Sequence, residues 1–188
     1  SYGLGRYAYG LFIPTFRDAF SLTDTRLALI ASFSYGSYFL VTLIGIYISS
    51  RLDPRKSLIA GGLAAAFGML LMAFATDYRI LALGVAIAGV SPGLAYTPIS
   101  GLIAALVSQS RQRTIYAIVN SGTSLGVVLS APLAILLADQ WRWCWIVFAG
   151  FSIISTWWCA KVIPPVPQAA LSDKTRLRRG GLFRSLSV

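Results

Sequence analysis

Six long apolar segments separated by short polar connections dominate the pattern of this chain. They lie at roughly 1–17, 27–48, 57–76, 80–107, 114–138 and 143–163. Each reaches or approaches the ~20 residues that an α-helix needs to cross ~30 Å of hydrocarbon. Because the connections are short, neighbouring helices must run antiparallel. The pattern therefore predicts an all-α membrane protein with six transmembrane helices in one bundle.

Lys and Arg are concentrated in alternate connections. The second and fourth connections and the stretch after the sixth segment hold eleven of them, whereas the first, third and fifth connections hold four, which are Arg17, Arg26, Arg79 and Arg142. Connections that are rich in Lys and Arg stay on the cytoplasmic side of a membrane. We therefore expect a multi-pass protein of the cell inner (plasma) membrane with a cytoplasmic N-terminus and tail.

The character of the chain changes after the sixth segment. Pro164, Pro165 and Pro167 stop the helix, and the residues that follow are polar and basic. Two regions result, a six-helix transmembrane bundle at 1–164 and a basic cytoplasmic linker or tail at 165–188. The chain opens on Ser1 inside an apolar run, so we expect a fragment or part of a longer protein.

Composition removes several classes of protein. The chain is 56% hydrophobic and carries a net charge of +10. Nucleic acid is disfavoured as a partner, because the basic residues lie between spanning segments. There is no His and no Glu, and all six Asp lie at segment ends or in connections. A haem-ligating His, an HExxH zinc site, an intramembrane Asp pair and a Ser-His dyad are thereby excluded, so we expect no enzyme activity, no metal and no cofactor.

A faint internal repeat relates the first three segments to the last three. Gly and Pro at 10–14 are matched by Gly and Pro at 93–98, and the Asp and Arg of 53–55 are matched by those of 139–142. Since three helices separate the copies, the second copy must be inverted in the membrane. The prediction is two inverted three-helix repeats, an arrangement typical of transporters.

Arg6 is the single residue that most strongly indicates a functional site. It precedes Arg17 by eleven positions, which places it ~16 Å deep if the first span ends there. A central Arg is costly and needs a compensating group. That group can be a backbone carbonyl, water, an acid elsewhere or an anionic substrate. Alternatively, Ser1 lies nearer the surface and Arg6 reaches the headgroups.

Other polar side chains recur at one-turn spacing within the first, second, fourth and fifth segments. They suit a wetted cavity, although such residues also hold membrane helices together. With Arg6 they form the candidate substrate-binding set, whose other members are Tyr9, Tyr35, Tyr38, Tyr96, Asn120, Thr123 and Ser124.

Two further patterns concern packing and anchoring. Gly122 and Gly126 form a small-residue motif that favours close helix contact. The tryptophans of the sixth segment fit interfacial belts, so we interpret all five as anchors: Trp141, Trp143, Trp145, Trp157 and Trp158.

Six helices, a basic second connection and a basic tail together resemble the N-terminal half of a major facilitator superfamily transporter. The opening run at 3–10 followed by Pro14 looks like the first helix of some bacterial facilitators. In the second connection, Gly45 matches the opening Gly of the family's loop and Arg55-Lys56 its closing basic pair. Ser49 stands where the family has Asp, and Asp53 is the nearby acid.

The resemblance implies a central cavity between two six-helix halves, lined by helices one, two, four and five of each. It also implies a cytoplasmic gating loop, here Gly45, Asp53, Arg55 and Lys56. We therefore expect secondary active transport of a small molecule, with an anion as one candidate, by alternating access. The expected partners are the lipid bilayer, a small-molecule substrate and a missing C-terminal six-helix half. The alternative is a six-helix membrane scaffold or assembly subunit without transport.

Overall fold

The structure is a computed structural model that describes residues 8–48 and 53–163, and within these ranges every regular element is helical. The helices are α1 (Ile13–Phe20), α2 (Asp24–Ile48), α3 (Pro54–Ala73), α4 (Tyr78–Leu106), α5 (Gln109–Leu136) and α6 (Trp141–Val162). A short 3₁₀ turn, Ala138–Gln140, leads into α6. Five of these helices, α2 to α6, are long and apolar enough to cross a membrane. The predicted all-α membrane fold is confirmed.

Several helices begin before the apolar segments that predicted them. α2 opens at Asp24, and α5 opens at Gln109. Helices continue past the apolar band because first-turn amide groups can donate hydrogen bonds to polar caps and to water, which hydropathy alone does not register. Polar connections are therefore shorter than the sequence suggested.

A helical turn at residues 8–11 precedes α1. The two are separated at Phe12, two residues before Pro14. Pro14 has no amide hydrogen to continue the i→i−4 ladder. The Phe12 amide instead donates to the Tyr9 carbonyl at 3.1 Å, and the ladder resumes with Phe16 donating to Phe12 at 2.9 Å. Phe12 and Phe16 are buried, and their rings contact the indole of Trp145 on α6 at centroid distances of 5.4 and 6.2 Å.

This aromatic cluster corrects the interpretation of the tryptophans. Trp141 is 6% exposed and Trp145 is fully buried, so these two are core residues. The expectation that they anchor at the interface was wrong, because their rings fill the gap between α1 and α6. Trp143, Trp157 and Trp158 are exposed, as interfacial anchors must be.

The connections alternate between two ends of the bundle, as short loops require. At one end Arg17 pairs with Asp24, the Arg26 guanidinium lies 5.2 Å from the centre of the Tyr78 ring, and Arg142 reaches the end of α3. Four arginines and four aspartates share this balanced end: Arg17, Arg26, Arg79, Arg142, Asp18, Asp24, Asp77 and Asp139. At the opposite, basic end, Asp53 is the only carboxylate among the described residues.

α4 is the central helix, and small residues let its neighbours approach. A Cβ on Gly68 of α3 would lie 2.6 Å from the Gly84 carbonyl oxygen. A Cβ on Gly89 would lie 2.5 Å from the Ser34 carbonyl oxygen of α2. These contacts are backbone to backbone, so α2 and α3 both pack directly against the α4 main chain. α5, by contrast, packs loosely against the rest.

α3 and α6 form an antiparallel pair that is tied at both ends by arginine. Arg55, at the start of α3, donates to the Ala160 carbonyl near the end of α6. Arg142, at the start of α6, donates to the Ala75 carbonyl just beyond α3 at 3.0 Å. A cation beside the carbonyl end of a helix is favourable at each site. The two contacts are reciprocal, one at each end of the antiparallel pair.

Replacing Arg142 with Ala should lower the free energy of unfolding by about 1 kcal/mol. The variant loses a charged hydrogen bond to Ala75 and a cation–π contact to Trp141, whose ring centre lies 4.6 Å away. A melting curve of the purified protein checks this. Arg111→Ala is the control, since the exposed Arg111 guanidinium makes no hydrogen bond or ion pair within the described residues. Equal melting temperatures for both variants would contradict the arginine tie.

Candidate functional site

Four polar side chains on α4 and α5 form a crossed arrangement, which we call the α4–α5 polar face: Tyr96, Ser100, Tyr116 and Asn120. The Tyr96 hydroxyl donates to Asn120 Oδ1 at 3.3 Å. The Tyr116 hydroxyl donates to the Ser100 carbonyl, also at 3.3 Å. The Ser100 hydroxyl in turn donates to the Tyr96 carbonyl at 3.0 Å. Each helix thus contributes one tyrosine, whose hydroxyl donates a hydrogen bond to the other helix.

The arrangement follows from spacing and direction. Ser100 lies four residues after Tyr96, and Asn120 lies four residues after Tyr116, so each pair shares one face of its helix. α4 and α5 are joined by residues 107 and 108 alone and therefore run antiparallel. The tyrosine of each helix consequently meets the i+4 partner on the other.

The polar face is accessible. Tyr96 is 39% exposed, and Ser100 and Asn120 are also exposed. Nothing lies within 4 Å of a Cβ built on Gly101, the residue after Ser100. Thr123 is half-buried and Ser124 is exposed one turn further along α5. Neutral donors and acceptors are thus presented on otherwise apolar helices.

Gly122 tests the predicted small-residue packing motif. The motif that it forms with Gly126 suggested a close helix contact, yet the described residues leave the space beside Gly122 open. Within the described residues, Gly122 therefore mediates no close helix contact.

The remaining predicted binding residues lie elsewhere. Tyr9 is 5% exposed, and its hydroxyl donates to the Leu27 carbonyl at 3.3 Å, so it joins α2 to the first helix. Tyr35 on α2 is 58% exposed, and Tyr38 is half-buried. Arg6 lies outside the described residues. The structure therefore brings Tyr96 and Asn120 together.

The predicted gating loop is partly described. Asp53 caps α3, because its Oδ1 accepts the Arg55 amide at 2.9 Å. Arg55 ties α3 to α6, and Lys56 is exposed. Gly45 lies near the end of α2 and is half-buried. Residues 49–52 lie outside the described ranges.

A cavity of about 610 Å³ opens beside the first turns of α5 at the basic end. Its lining comprises Gln109, Ser110, Gln112, Arg113 and Tyr116. Tyr116 belongs to both the cavity and the α4–α5 polar face. The cavity and the polar face therefore share Tyr116.

Sequence reasoning missed Ser100 and Tyr116. The signal that could have found them is the repeated pattern of a tyrosine followed four residues later by Ser or Asn, on two consecutive antiparallel helices. No group of three or more potential metal-binding side chains occurs in the described ranges.

Together, the five long apolar helices and the polar face between two of them define a multi-pass helical membrane protein with a polar surface inside its spanning region. Comparison with known proteins identifies the group. The model of the major facilitator superfamily matches residues 1–186, and the chain belongs to that superfamily.

Several monocarboxylate transporters are similar to the chain. Monocarboxylate transporter 12 of Xenopus laevis is 32% identical over 75% of this chain and 31% of its own length. The human protein of that name is 28% identical over 83% of this chain and 30% of its own length. Monocarboxylate transporter 13 of Rattus norvegicus is 30% identical over 72% of this chain and 32% of its own length. The chain therefore spans about a third of these relatives.

Proposed function

We propose that this chain supplies one half of a secondary transporter that moves a small anionic molecule across the membrane by alternating access. The observation that carries the proposal is the accessible α4–α5 polar face, with Tyr96 bonded to Asn120. Lipid cannot satisfy such groups, so a polar surface within spanning helices favours a wetted path for a polar solute.

The sequence and its charge distribution favour an anionic substrate. Arg6 lies in the first apolar segment, and no carboxylate lies within the middle of any segment to neutralise it. The similar proteins are named as monocarboxylate transporters, which fits a substrate with one negative group. In this proposal Arg6 binds that group, and the hydroxyl and amide groups of the predicted set, apart from the buried Tyr9, orient the rest of the molecule.

The basic end faces the cytoplasm in this proposal, because Lys and Arg concentrate there. The chain then lies in the plasma or inner membrane with its tail in the cytoplasm, and a second six-helix half completes the cavity. The gating loop of Gly45, Asp53, Arg55 and Lys56 lies at the same end. Rocking of the two halves exposes the cavity to each side in turn.

Labelling of single cysteines with a membrane-impermeant maleimide distinguishes a transporter from a scaffold. In a background with Cys144 and Cys159 replaced by Ala, Asn120→Cys and Tyr35→Cys should react, because both sites are exposed and line the proposed cavity. Tyr9→Cys should be protected, since Tyr9 is buried. Modification measured by mass shift in native membranes checks the prediction.

Phe151→Cys is the matched control. Phe151 is 59% exposed on α6, but in this proposal it faces lipid, so an aqueous reagent should not reach it. Protection at Asn120 and Tyr35 equal to that at Phe151 would favour the scaffold and count against a water-filled path.

A further inference from the structure

Pro98 leaves a carbonyl group of α4 without its usual donor. In an α-helix the amide of residue 98 donates to the carbonyl of Leu94, but proline has no amide hydrogen. An unpaired carbonyl inside a membrane costs free energy, so a neighbouring group must compensate it.

Ser57 provides that group from another helix. Its hydroxyl, in the first turn of α3, donates to the Leu94 carbonyl oxygen at 2.9 Å. Five serine hydroxyls within these helices bond a carbonyl three or four residues earlier on their own helix, as Ser32 does to Ala28, whereas those of Ser57 and Ser152 reach a carbonyl of another helix. The bond from Ser57 instead spans 37 residues of sequence.

The position of this bond relates two parts of the molecule. A Cβ on Gly61 would lie 3.0 Å from the Ser91 carbonyl oxygen, so α3 follows α4 closely up to this point. Beyond Pro98, α4 continues to Leu106, whereas α3 has its first residue at Pro54. The bond therefore lies near the point beyond which α4 no longer packs against α3.

The same point lies inside the α4–α5 polar face. Tyr96 precedes Pro98 by two residues and Ser100 follows it by two. Proline inside a helix favours a kink, and any change in the direction of α4 at Pro98 would move these two residues relative to each other, and with them their partners on α5. The start of α3 is itself fixed by the Asp53 cap and by the bond from Arg55 to α6.

We propose that Ser57 is a positioning residue: its hydroxyl replaces the donor that Pro98 lacks and fixes the direction of α4 at Pro98, which aligns Tyr96 and Ser100 with α5. The consequence for substrate rests on the proposed transport function, whereas the bond and the direction of α4 do not. Loss of the hydroxyl loosens α4 from Pro98 onward and misaligns the polar face.

Amide hydrogen exchange on the intact protein tests the inference without any substrate. Ser57→Ala should raise the exchange rate of the amides at 99–106 by about tenfold, which is the loss of one hydrogen bond. Ser57→Thr, which keeps a hydroxyl, should exchange like the parent. In Pro98→Ala the restored amide can donate to Leu94, so adding Ser57→Ala to that variant should change little.

Ser32→Ala is the matched control and should leave the rates at 99–106 unchanged. Equal exchange in Ser57→Ala and the parent overturns the proposal, as does an undiminished effect of Ser57→Ala in the Pro98→Ala background. Uptake measured on the same variants separates the two hypotheses. A parent protein that moves no carboxylate contradicts the transport proposal, while the exchange pattern still decides the role of Ser57.

Discussion

Arg6→Ala is expected to reduce carboxylate uptake by the intact protein at least ~30-fold. In the proposed mechanism the guanidinium binds the negative group of the substrate in a site of low dielectric constant. Removing one partner of such a charge pair costs about 2–5 kcal/mol, and 1.4 kcal/mol corresponds to a factor of ten. Uptake of a labelled monocarboxylate into proteoliposomes, at equal amounts of inserted protein, measures the loss.

The conservative variant and a surface arginine make this result specific. Arg6→Lys keeps the charge but loses the planar, two-pronged donor geometry, so it should retain intermediate uptake. Arg17→Ala should transport almost like the parent, because Arg17 is paired with Asp24 at the exposed balanced end, where an ion pair contributes little. Parental uptake by Arg6→Ala would exclude Arg6 from substrate binding.

The overall fold was predictable because it depends on properties of short stretches of sequence. Segment length and apolar content indicate spans, and the alternation of basic connections indicates which ends lie together. The contact of Arg26 with Tyr78 and the bond from Arg55 to Ala160 each join connections that this alternation places at one end.

The candidate site was predictable only in part. Tyr96 and Asn120 were found separately as polar residues in apolar helices, and the structure joins them. The bond from Ser57 to Leu94 could not be found in the same way. It depends on which turn of α3 lies beside Pro98, and sequence periodicity on either helix does not determine that register.

The glycines likewise show which features the sequence predicts and which it does not. The sequence drew attention to the spacing of Gly122 and Gly126, whereas the close contact lies between Gly68 of α3 and Gly84 of α4. Both kinds of glycine are common in membrane helices. Only the three-dimensional neighbour distinguishes a glycine that permits contact from one that leaves open space.

Gly68→Ala is expected to lower the free energy of unfolding by about 3 kcal/mol. The added methyl group would lie 2.6 Å from both the Ala88 amide nitrogen and the Gly84 carbonyl oxygen, and both belong to the α4 backbone. No rotamer change can relieve a backbone clash, so α3 and α4 must separate along part of their contact. Denaturation in mixed micelles by SDS, followed by circular dichroism, measures the change.

Two other glycines separate this effect from helix propensity and from side-chain crowding. Gly150→Ala should be neutral or stabilising by up to about 1 kcal/mol, since nothing lies within 4 Å of its Cβ position and Ala favours helix. At Gly62 the added Cβ would meet the Thr156 side chain, so Thr156→Ala should partly restore the stability of Gly62→Ala. No such side-chain truncation is available to Gly68→Ala. If Gly68→Ala unfolded at the same denaturant concentration as Gly150→Ala, the close approach of α3 to α4 would be wrong.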